Sequence, residues 1–223
     1  MRLGLLIPSS NVVLEPLAVR LQTQTAGLTI HVARLGVLDV QLNTASRSQF
    51  KLDAQVAAAK LLCDAKVDRI TWGGTSASWL GFAHDEAFVA RMEKETGIPT
   101  RTCVLDINNR LTNLGVTQLG LVTPYTNDVA TQINQNYTEM GFDVVASRNN
   151  GGLLSNDFAA IKSSVIEQMV QEVAAAKPDA IVIMCTNMAG AQKASQLESD
   201  LGLPILDSAA ITLACGVDPT DQS

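Results

Sequence analysis

Aromatic residues are scarce in this chain of 223 residues, at 4%, and it has only two histidines. So few aromatics, with short apolar runs alternating with mixed-polarity stretches, exclude a pure β-sandwich and set the rhythm of an α/β protein. Long hydrophobic runs are missing as well. The longest, Ala180 to Cys185, falls far short of the ~18 apolar residues that a membrane span needs. The N-terminal Leu3–Ile7 reads as a strand behind a single Arg2, not as a leader, so a cytoplasmic protein without signal or anchor is expected. The four cysteines, Cys63, Cys103, Cys185 and Cys215, form no CxxC pair, which supports neither a zinc site nor a disulfide framework. No metal or cofactor is expected. Sixteen basic residues against 22 acidic ones give a net charge of −6 without any basic run, which argues against a nucleic acid partner. A small anion remains a suitable ligand, since backbone amides hold one whatever the overall charge.

What is present is 47% hydrophobic residues, enough for one large core or two linked ones, and an internal repeat. Leu3-Gly4-Leu5-Leu6-Ile7-Pro8-Ser9-Ser10-Asn11 returns as Leu119-Gly120-Leu121-Val122-Thr123-Pro124-Tyr125-Thr126-Asn127. Asp68-Arg69-Ile70-Thr71-Trp72-Gly73-Gly74-Thr75 returns as Asp179-Ala180-Ile181-Val182-Ile183-Met184-Cys185-Thr186, which sets Gly74 opposite Cys185. Gly97-Ile98-Pro99 and Gly202-Leu203-Pro204 close the two copies. Helical periodicity marks residues 50–65, the segment from Phe82 to Glu95, and Phe158, Ile161, Val165, Met169 and Val173 behind a cap-like Ser155-Asn156-Asp157. The expected fold is α/β, with two pseudo-symmetric, Rossmann-like halves built on parallel sheets and the active site in the cleft between them. The first half spans 1–115, with 205–223 packing back on it, and the second spans 116–204.

Ligands of parallel sheets collect beyond the carboxyl ends of the strands, and the matched loops all lie there. Gly73-Gly74-Thr75-Ser76 offers close backbone approach, hydroxyls and amides to a carboxylate, though neither a phosphate loop nor GxGxxG is present. Cys185 stands at a strand end and the expected start of a helix, where the dipole lowers a thiol pKa. Tyr125 places a phenol on a matched loop. Of the two matched asparagines, Asn11 reads as a ligand and Asn127 as a helix cap. Cys63, Cys103 and Cys215 read as packing residues, and His31 and His84 as surface or structural ones. Glu15 is a weak candidate base near the cleft.

With Gly-Thr-Ser-Ala-Ser at 74–78, Thr-Pro-Tyr at 123–125 and Cys-Thr-Asn at 185–187, nearly the whole chain resembles the aspartate/glutamate racemase superfamily. The stretch from Gly74 to Tyr125 is most similar to the arylmalonate decarboxylases. Pro8-Ser9-Ser10-Asn11 and Cys185-Thr186-Asn187 are more similar to the maleate cis-trans isomerases. Racemases of the superfamily use two facing cysteines, and the isomerases need the first as nucleophile; here that position is Gly74. The resemblance therefore implies a cofactor-free decarboxylase of a small dicarboxylate or aryl-carboxylate substrate. Thr75, Ser76, Tyr125 and the amides around Cys185 and Thr186 would hold one carboxylate and the enediolate, and Cys185 would protonate it. By the same resemblance Asn11 and Asn156 match positions that bind the second carboxylate in the isomerases. Isomerase or racemase activity, or a silent acid-binding protein, are the competing expectations. A homo-oligomer is compatible with all of them.

Overall fold

Each repeated segment is a strand at the same place in one of two sheets. In the computed structural model, which describes residues 1–217, the first sheet holds β1 (Arg2–Pro8), β2 (Thr29–Leu35), β3 (Arg69–Trp72) and β4 (Thr100–Thr102). The second holds β5 (Gln118–Tyr125), β6 (Asp143–Gly152), β7 (Ala180–Ile183) and β8 (Ile205–Asp207). The orders are β2-β1-β3-β4 and β6-β5-β7-β8, and every pairing within the sheets is parallel. The α/β architecture of two equivalent halves is therefore as expected.

The repeated residues have repeated structural reasons. Gly4 and Gly120, inside the two Leu-Gly-Leu strands, lie where a helix presses on the sheet: an added Cβ would stand 3.1 Å from Leu62 Cδ1 and 2.4 Å from Val173 Cγ1. Asp68 and Asp179 each accept from the backbone amide of the neighbouring strand, Arg2 at 2.6 Å and Gln118 at 2.8 Å. Gly97 and Gly202 end their helices with φ of 69° and 65°, a left-handed conformation that costs glycine nothing.

Helices α1 (Leu14–Gln24), α2 (Thr44–Ser48), α3 (Leu52–Asp64), α4 (Ala77–Leu80), α5 (Ala83–Thr96) and α6 (Cys103–Asn113) surround the first sheet. Around the second lie α7 (Asn127–Glu139), α8 (Ser155–Ala159), α9 (Ser163–Ala174) and α10 (Ala191–Leu201), and α11 (Ser208–Val217) follows β8. The periodic stretch behind Ser155 is two helices, not one. Lys162 is extended at ψ 144°, and the chain turns there, so Phe158 and the apolar stripe of Ile166, Met169, Val170 and Val173 sit on different helices. Residues 205–207 also differ from expectation. They pair with β7 as the edge of the second sheet, because Ile205 follows the same Gly-x-Pro turn that leads into β4 in the first half. From Ser208 onward, α11 crosses back onto α6, β3 and β4. Residues 218–223 of that segment lie outside the described residues.

One apolar core runs without a break from Leu6, Ile70 and Val104 of the first half to Leu121, Val170 and Ile183 of the second. Among the described residues no helix is long and apolar enough to cross a membrane.

Candidate active site

At the carboxyl ends of β1, β3, β5 and β7 the loops of the two halves enclose a small cavity of about 30 Å³. Its first-half wall is Pro8, Val37, Val40, Phe50, Gly74, Thr75, Ser76 and Trp79; Tyr125, Ser155, Phe158, Cys185 and Thr186 complete it. No charged side chain is among these. A volume of this size admits one or two waters. A larger cavity, about 480 Å³, lies away from this chemistry between α6, α10, β8 and α11.

Thr75 and Ser76 stand in the turn between β3 and α4, which Ser78 closes by donating from its Oγ to the Thr75 carbonyl at 2.7 Å. Thr75 Oγ1 meets Tyr125 OH at 2.8 Å across the cleft. The Ser76 hydroxyl is buried without a partner among the described residues. An unpaired buried hydroxyl is costly, which makes it a ready donor to a ligand. Tyr125 is 1% exposed, and burial first, then the neighbouring Cys185, holds its phenol well above the ordinary value. It is therefore neutral and able to donate near neutral pH.

Cys185 departs from expectation in two respects. It lies in a turn after β7, closed by Met188 N donating to the Cys185 carbonyl at 3.1 Å, and α10 does not begin until Ala191. Burial pushes its thiol up to about 11, although Tyr125 and the amides of Asn187 and Met188 favour the thiolate. Desolvation thus outweighs the local dipoles, and the group is a protonated thiol near neutral pH. Its amide donates to Ser208 Oγ at 2.9 Å, and that hydroxyl donates to the Ile183 carbonyl at 2.7 Å, which fixes the turn.

The polar residues assigned to substrate are differently engaged. Asn11 is completely buried, and its Oδ1 accepts from the Val13 and Leu14 amides at the start of α1, both at 3.0 Å. Its Nδ2 donates to Thr186 Oγ1 at 3.1 Å, and that hydroxyl in turn donates to the Gly73 carbonyl at 2.7 Å. Capping thus falls to Asn11, whereas Asn127 is exposed and accepts from Asn149. Asn156 is exposed on α8 and does not line the cavity; its buried neighbour Ser155 does. Gly74 lines it. Glu15 pairs with Arg34 at the surface, and neither histidine lines the cavity.

Asn187 was not singled out in the sequence. Buried, it accepts from the Val12 amide at 2.9 Å and donates to the Ser155 carbonyl at 2.6 Å, joining a first-half loop to α8. The residues of the apolar wall were not named from the sequence either, although a signal existed. Phe50, Trp79, Tyr125 and Phe158 form a chain of edge-on rings, with centroids 5.9, 5.2 and 5.3 Å apart, in a protein with few aromatics to place.

The model of the arylmalonate decarboxylase family matches residues 3–217. An arylmalonate decarboxylase of Bordetella bronchiseptica is 26% identical over 138 residues, 60% of this chain and 58% of that one, so the match spans less than two thirds of that relative. Among solved structures, a mutant arylmalonate decarboxylase in a liganded form superposes with a TM-score of 0.85 at 20% identity, covering 100% of this chain and 93% of that one. A Nocardia farcinica maleate cis-trans isomerase mutant, with a covalently bound succinylcysteine intermediate, gives 0.84 at 19% identity over 97% and 92%. These two establish the shared fold. The chain belongs to the arylmalonate decarboxylase family.

Proposed function

We propose that this member of the arylmalonate decarboxylase family is a cytoplasmic, cofactor-independent decarboxylase of a substituted malonate or related dicarboxylic acid. The observation that carries the reading is that, among the described residues, Cys185 is the sole thiol lining the cavity, with Gly74 at the matching place in the other half. One substrate carboxylate is held by Thr75, Ser76, Tyr125 and the amides near Cys185 and Thr186. The other rests against Val37, Val40, Phe50, Trp79 and Phe158, apolar side chains that offer a carboxylate no charge partner. Breaking its bond to the α-carbon releases neutral carbon dioxide. The electron pair stays behind and passes into an enediolate on the held carboxylate, which the donors stabilise. Cys185 then delivers its proton to the α-carbon from one side, and the thiolate regains one from solvent.

Two-base racemisation and covalent isomerisation both need a second reactive group where Gly74 stands. The isomerase reading also needs side chains for a second carboxylate. Of the two that match those positions in the isomerases, Asn11 is hydrogen-bonded to Thr186 and to the backbone, and Asn156 is exposed and does not line the cavity. Incubation with phenylmethylmalonate and, separately, with maleate tests the reading. Carbon dioxide from the first is the expected result, fumarate from the second supports an isomerase, and neither leaves an acid-binding protein.

A further inference from the structure

The two halves divide volume differently at one pair of matched positions. In the second half the strand ends with Ile183 and the loop carries Cys185; in the first, the equivalent residues are Trp72 and Gly74. A Cβ built on Gly74 would stand 2.2 Å from Trp72 Cζ2, 2.4 Å from Cε2 and 2.9 Å from Nε1. Gly74 is not among the residues with positive φ, so its backbone would accept a side chain. The indole forbids one. Trp72 is itself completely buried on β3, 6.1 Å from the ring of Phe88, and cannot swing out without opening the core.

We propose that Trp72 is a specificity-determining residue of this site: its indole fills the volume that any side chain at position 74 would need, and so closes the first half to a second proton-transfer or nucleophilic group. The inference rests on the reading of Cys185 as the single proton donor. Its content is that one-sidedness belongs to the pair Trp72–Gly74 and not to the glycine alone. Restoring a cysteine at 74 is then insufficient to make a two-sided site unless the indole is shortened too.

The test is a double-mutant cycle with two readouts. Gly74→Ala and Gly74→Cys are made in the native chain, in Trp72→Phe and in Trp72→Leu, the two backgrounds guarding against one that folds poorly. With Trp72 present, either change at 74 lowers the melting midpoint by about 4 °C or more. In the shortened backgrounds the same changes cost little further. The second readout is deuterium uptake at the α-carbon of each enantiomer of a 2-arylpropionate in heavy water. There, one thiolate removes the α-proton, the electron pair enters the enediolate, and the other thiol returns a deuteron. Gly74→Cys/Trp72→Leu exchanges at least about tenfold faster than Gly74→Cys alone. Additive stability losses, a native midpoint for Gly74→Ala, or a folded double variant that exchanges no faster than Gly74→Cys would overturn the proposal. Failure of the parent reading looks different: Cys185→Ala would keep decarboxylating while the stability coupling between 72 and 74 persisted.

Discussion

Thr75 Oγ1 and Tyr125 OH lie 2.8 Å apart, one from each half of the molecule, and only one of them can donate in that contact. A carboxylate that reaches them takes a hydrogen bond from both, replacing one neutral bond with two charge-assisted ones. The phenol is packed between Trp79 and Phe158, edge-on at 5.2 and 5.3 Å.

Replacing Tyr125 by Phe removes the donor and leaves the rings in place. The turnover number should fall by about 10² to 10³ if the bond strengthens as charge develops. Thr75 loses its buried partner, at a stability cost of about 1 kcal/mol. Steady-state kinetics separate the effects: a raised KM with an unchanged turnover number would mean that Tyr125 serves binding alone.

Cys185→Ala should lower turnover by at least about 10³ while the protein remains folded. Cys63→Ala, at a half-buried position on α3 that does not line the cavity, should leave turnover within a factor of a few. With its thiol pushed up to about 11, native Cys185 should also alkylate slowly with iodoacetamide at neutral pH. Retained turnover in the Cys185 variant, measured as carbon dioxide release, would remove the proposed donor.

The asparagines separate stability from activity. Asn187→Ala breaks the link from Val12 to Ser155 and should cost about 1 to 3 kcal/mol in denaturant unfolding, because the freed Ser155 carbonyl stays buried. Asn156→Ala, on the exposed side of α8, should change neither unfolding nor turnover noticeably. If instead Asn156→Ala raised KM and left unfolding unchanged, a substrate contact for that residue would be re-established.

The two parallel-sheet halves and the pairing of loops were legible in the sequence because the residues that repeat are those the architecture constrains twice. Gly4 and Gly120 meet a helix at close range, and Asp68 and Asp179 hold the adjacent strand. The position of Gly74 opposite Cys185 followed from the same repeat. The walls did not follow from it. Val37, Val40 and Phe50 come from an irregular stretch between β2 and α3, where no periodicity announces a buried face, and they reach the cavity through the bridge between Asp39 and Leu154. Nor does a sequence reveal that Asn11 and Thr186 find each other, since their bond joins positions 175 residues apart. The helix expected at Cys185 begins six positions later, and with it the expected sign of the thiol shift was reversed by burial.

Asp207 gives a pH dependence that belongs to stability. Its carboxyl is fully buried at the end of β8, where Oδ1 accepts from the Ala210 amide at 2.9 Å and Oδ2 has no partner among the described residues. Burial pushes it up to about 7 from 3.8, against the Ala209 and Ala210 amides, which pull it down. The folded chain therefore keeps a proton that the unfolded chain has already released. Stability is fully present below about pH 4, declines as the pH rises toward 7, and stays reduced above it, by about 4 kcal/mol at most. Asp207→Asn retains an acceptor for the Ala210 amide and cannot ionise. Its melting midpoint should fall less between pH 5 and pH 8 than that of the native chain, by about 8 °C or more. Some slope should survive in the variant, because burial raises Asp85 as well. Equal slopes in the two proteins would show that Asp207 ionises in the folded state no later than in the unfolded one, and that its unpartnered oxygen is solvated in solution.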